Sequence, residues 1–60
     1  MNMEKAIELA LRAAEEEYGI KCHKVAAMVS SDNPAEQDFV YRFFVFVSET
    51  RDKLLKEAES

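Results

Sequence analysis

Asp38-Phe39-Val40-Tyr41-Arg42-Phe43-Phe44-Val45-Phe46-Val47-Ser48 is aromatic and β-branched almost throughout. Such side chains crowd a helical turn and fit a pleated surface, so the stretch predicts a strand. Its alternation would point Phe39, Tyr41, Phe43, Val45 and Val47 one way, and Val40, Arg42, Phe44 and Phe46 the other. Both faces are then apolar, with Arg42 the one interruption. A half-exposed antiparallel strand keeps polar residues on its wet side. This strand is expected to be covered on both sides.

Upstream, Ile20-Lys21-Cys22-His23-Lys24-Val25-Ala26-Ala27-Met28-Val29-Ser30-Ser31 reads as a second strand. The turn residues Ser31 to Gln37 join the two into a hairpin. Within them Asn33 is placed to cap a single helical turn, with Pro34 at its first position and Glu36 closing a capping box. From Met3 to Tyr18 the residues Met3, Ala6, Ile7, Ala10, Leu11, Ala14 and Tyr18 recur at steps of three and four, the stripe of an amphipathic helix. Asn2 is its expected cap, Gly19 its expected stop, and Glu8–Arg12 a favourable pair four residues apart. Downstream, Ser48 or Thr50 would cap a short helix over Arg51 to Glu59, with Leu54, Leu55 and Ala58 as its apolar side. The expected fold is α+β over residues 1–60, in the order α-β-β-α.

The chain has 60 residues, and at that length folding buries only about 60% of the unfolded surface. One Cys provides no internal disulfide, and no Cys/His cluster supplies a structural metal. The first helix covers one sheet face and leaves nothing for the other except a second copy, or helices wrapped on both sides. Burying three or four large side chains there is worth roughly 1.5–3 kcal/mol each. A homo-oligomer is therefore expected, with Val25, Ala27, Val40, Phe44 and Phe46 at the interface and Arg42 pairing with an acid of the partner. Asp38 and Glu49 flank the strand as charged gatekeepers.

Eight Lys+Arg against twelve Asp+Glu give a net charge of -4, with the cations scattered singly, which argues against nucleic acid as partner. No apolar run exceeds the five residues of Phe43–Val47, far below the roughly 18 of a membrane span. Met1-Asn2-Met3-Glu4-Lys5 opens into the amphipathic stretch without an apolar leader, and a lone Cys fits a reducing cytoplasm.

Catalytic chemistry is not expected. Cys22 and His23, adjacent on a strand, would face opposite ways and form no nucleophile–base pair. A single Gly supplies no phosphate loop, and no metal-ligand spacing occurs. Glu15-Glu16-Glu17 reads as a solvated helix end, and Tyr41, Phe43 and Phe44 beside Arg42 read as core or interface.

In pattern rather than motif, Ala6-Ile7 through Leu11-Arg12-Ala13, with the strands ending Tyr41-Arg42-Phe43-Phe44-Val45-Phe46-Val47, resembles the helix and last two strands of dodecins. Those are small flavin-storing proteins that assemble into shells. The first strand and the flavin-stacking Trp are missing here, Cys22 stands near the place of that Trp, and a terminal helix is added. The α-β-β-α order is also similar to that of truncated double-stranded-RNA-binding domains. The basic start of their final helix is replaced by the mixed Glu49-Thr50-Arg51-Asp52-Lys53. The expected function is a cofactor-free cytoplasmic oligomerisation or protein-interaction module. The alternatives are a small-ligand binder with an aromatic layer between subunits, as the likeness to dodecins implies, and an acidic inhibitor that imitates phosphates.

Overall fold

The computed structural model describes residues 1–59. They form α1 (Met3–Tyr18), α2 (Cys22–Met28) and α3 (Pro34–Glu59), with no strand among the described residues. The α+β expectation is overturned. Both expected strands are helical, and the expected terminal helix is the last part of α3. With the hairpin go the sheet-face interface and the strands on which the likeness to dodecins rested.

The physical reason lies in how Asp38–Ser48 meets its cover. Wound as a helix, Phe39, Val40, Phe43, Phe46 and Val47 gather at i, i+1, i+4, i+7 and i+8 on one stripe. All five belong to the core that forms against α1 and α2. A strand would have split them between two faces, one of them bare. Strand propensity is a context-dependent preference of about 1 kcal/mol, and burial of that stripe outweighs it. Helix formers on both flanks, Ala35-Glu36-Gln37 and Leu54-Leu55-Lys56-Glu57-Ala58, add turns to a nucleus already made.

The cap expected of a single turn begins the whole of α3, but the expected capping box does not close, because the Asn33 N–H donates to Ser31 Oγ and not to Glu36. Asn33 Oδ1 accepts the Ala35 N–H at 2.9 Å, and the Gln37 N–H donates to the Asn33 carbonyl at 3.0 Å. Glu36 Oε1 accepts from Ser31 Oγ at 3.0 Å and so fixes the loop to the first turn. Ser48 and Thr50, expected as caps, lie inside the helix.

In α1 the expected cap and stop are in place, whereas Met3 and Ile7 of the expected stripe are exposed, at 51% and 36%. Asn2 Oδ1 accepts the Lys5 N–H at 2.8 Å. Gly19 sits in the left-handed region at φ 65°, and the Ile20 N–H closes onto the Glu15 carbonyl at 3.2 Å. Ala6, Ala10 and Ala14 form a fully buried stripe of small side chains. Their size lets the backbone of α1 come close while Phe43 and Val47 of α3 supply the volume.

α2 has only seven residues and no side-chain cap of its own at Lys21, too short to persist undocked. It is held by the fully buried Val25, with Cys22 and Met28 half-buried one turn to either side. Glu15 supplies the missing cap, its Oε2 accepting the Cys22 N–H at 2.6 Å. A carboxylate at a helix N-terminus is favoured by charge as well as by the hydrogen bond. Tyr18 joins the parts, its ring centroid 5.6, 5.8 and 5.7 Å from those of Phe39, Phe43 and Phe46. The result is elongated, 41 × 17 × 16 Å.

Candidate interaction surface

Beside the core stripe, α3 carries a second strip. Gln37, Tyr41, Phe44, Ser48, Arg51 and Leu55 follow one another at steps of 4, 3, 4, 3 and 4 residues. Three of the six, Tyr41, Phe44 and Leu55, are apolar, and Gln37, Ser48 and Arg51 are polar. Tyr41 is 70% exposed and Phe44 38% exposed, and Val40 and Val45 flank them half-buried. Together with Ser48 and Glu49 they line a shallow groove of about 330 Å³. By helical phase Asp38, Arg42, Lys53 and Lys56 point away from the strip.

The residues expected at an interface divide accordingly. Val40 and Phe44 lie together on this side of α3. Val25 is fully buried within the subunit, and Phe46 is half-buried edge-on against Tyr18. Ala27 is exposed on α2 and is not among the residues that line the groove. Arg42 donates from Nε to Asp38 Oδ2 at 2.9 Å, one turn back on its own helix. Both side chains are largely exposed, so the pair contributes a few tenths of a kcal/mol, about 0.3–0.5. Tyr41, Val45 and Ser48 were missed as surface residues. Along the chain nothing marks them, because the dense run of aromatics offers apolar residues to every helical phase.

A second concavity of about 400 Å³ opens where α1, α2 and α3 meet, with Tyr18, Ile20, Met28 and Phe39 as its apolar walls and Glu36 among its lining. Cys22 is half-buried, and His23, the next residue on α2, is exposed. Of the acidic triplet, Glu16 and Glu17 are exposed, whereas Glu15 caps α2. Among the described residues no three His, Cys, Asp or Glu side chains gather where they could hold a metal ion. Among the same residues no helix is long and apolar enough to cross a membrane. Compared with known families, curated proteins and solved structures, the chain matches none.

Proposed function

We propose that this chain is a non-catalytic homo-oligomerising interaction module of the cytoplasm, assembled through the strip on α3. The observation that carries the reading is the exposure of Tyr41 and Phe44 side by side on a helix whose opposite stripe is already buried. Large aromatics at the centre of a patch are the usual anchors of protein association. Completing the burial of one such ring is worth up to roughly 1.5–3 kcal/mol, and a symmetric pair counts it twice.

The test is sedimentation velocity over a low-micromolar concentration series. The wild-type chain is expected to sediment as a dimer or larger species that dissociates on dilution. Phe44→Glu is expected to weaken association at least 100-fold while leaving the far-UV circular dichroism unchanged. A wild-type chain that stays monomeric throughout overturns the reading.

The recess among Tyr18, Ile20, Met28 and Phe39 favours a second reading, capture of a small apolar molecule by each subunit. Native mass spectrometry of untreated protein separates the two. Extra mass on every subunit supports the ligand, and bare subunit mass opposes it.

A further inference from the structure

We infer that the recess where α1, α2 and α3 meet takes a small organic cation with an apolar body, an arylalkyl or quaternary ammonium, with Glu36 as its counter-ion. The inference rests on the second reading above, that this recess captures a small molecule, and adds to it the charge and chemical class of that molecule.

The walls set the apolar half of the ligand. Tyr18, Ile20, Met28 and Phe39 line a recess of about 400 Å³, at the small end of the range for small-molecule sites, about 300–1,000 Å³. The Tyr18 and Phe39 rings meet edge to face, 5.6 Å between centroids, and each is half-buried, so part of each ring stays open. An aromatic ring draws a cation to its face through its quadrupole.

Glu36 sets the charge. It is half-buried and is the one ionised group of the lining, where no Lys, Arg or His stands with it. It lies three residues before Phe39, and so beside that ring on the surface of α3. A closed capping box would have engaged this carboxylate with the backbone, and it is not used so. The Asn33 N–H goes to Ser31 Oγ, and Glu36 accepts the Ser31 hydroxyl through Oε1 at 3.0 Å. An ionised carboxylate has about four acceptor positions, so that bond leaves capacity for a ligand.

The same carboxylate discriminates among occupants. An uncharged molecule seated in the recess would strip water from Glu36 and put nothing in its place, which is costly for an ionised group. A cation offsets that loss. An anion is opposed by Glu36 and by the net charge of -4 on the chain.

The experiment is a titration of the full chain, followed by two-dimensional amide NMR, with meta-hydroxyphenyltrimethylammonium and separately with its uncharged isostere meta-tert-butylphenol. The cation is expected to move the amides of Ile20, Met28 and Phe39 and to bind about tenfold more tightly than the isostere. Glu36→Gln, which keeps a carbonyl oxygen for the Ser31 hydroxyl, is expected to retain the wild-type spectrum and bring the two affinities within about twofold of each other. Equal or tighter binding of the isostere to the wild-type chain overturns the inference while capture of an apolar molecule stands. A preference for the cation that survives Glu36→Gln overturns it as well, because the overall charge of the chain is then its cause. If neither probe moves these amides, the reading of the recess as a binding site falls too.

Discussion

Phe43 and Phe44 are neighbours in sequence with opposite fates, and replacing each in turn tests the helical phase of α3. Phe43 is fully buried, its ring centroid 5.8 Å from Tyr18, 6.3 Å from Phe39 and 5.4 Å from Phe44. Phe43→Ala removes a ring from a site walled by the rigid backbones of α1 and α3, and such truncations cost about 3–5 kcal/mol. At 0.05–0.15 kcal/mol per residue, a chain of 60 residues has about 3–9 kcal/mol of net stability to lose. The variant is therefore expected to lose between about a third and all of its net stability. Phe44 is 38% exposed, so Phe44→Ala removes only part of a full burial, about 1–2 kcal/mol. Urea unfolding followed by far-UV circular dichroism, at concentrations where the chain is monomeric, measures both. If Phe43→Ala proves too unstable to titrate, Phe43→Leu keeps most of the volume and is expected to cost about 1–1.5 kcal/mol. Phe44→Leu should then cost less than half of that. Equal losses at the two positions would refute the helical phase, because that is what alternation on a strand covered from both sides demands.

Gly19→Ala is expected to cost about 1–2 kcal/mol, since φ is 65° and no atom lies within 4 Å of the added Cβ, so backbone strain is the whole effect. Gly19→Asn should recover about half of that loss in a thermal melt, because Asn tolerates the left-handed region. Glu15→Ala removes the cap of α2 and should cost about 1 kcal/mol. Amide exchange at Cys22 should quicken while the middle of α1 is unchanged, and Glu15→Gln, which keeps an acceptor oxygen, should fall between.

What was legible in the sequence is what depends on neighbours along the chain. The α1 helix, its Asn2 cap and its Gly19 stop rest on local signals, and each formed, although Met3 and Ile7 of the stripe lie exposed. Asn33-Pro34 was also read as the start of a helix, and its cap bond exists. Illegible was the length of that helix. From Phe39 to Val47 only Arg42 is not apolar, so a period of 2 and a period of 3.6 both find apolar residues wherever they look. Propensity then decided for a strand, and the deciding fact, a buried stripe of alanines on α1 shaped to receive Phe43 and Val47, is tertiary. The same holds for α2, where Val25 and Ala26-Ala27 become helical because Val25 has a core to enter and Glu15 supplies the cap. Glu15 itself was legible only as one of three acids. Its role depends on the turn at Gly19 bringing Cys22 back within 2.6 Å of its carboxylate.

The expectation of self-association was drawn from a sheet with one bare face, and the helical fold removes that sheet. Wound as a helix, Asp38–Ser48 gives Phe39, Phe43, Phe46 and Val47 to the subunit and leaves Tyr41 and Phe44 outside. That division alters the relation between folding and assembly. A two-stranded sheet bare on one face would fold only as it associated. Here the residues that define the core, from Ala6 to Val47, are buried within one chain, so the core is complete without a second copy. The ring left outside adjoins the ring kept inside, 5.4 Å between centroids and nearly edge-on. A partner seated on Phe44 would thus press on Phe43 through direct contact and stabilise the subunit from outside, the linkage expected when association binds only the folded form.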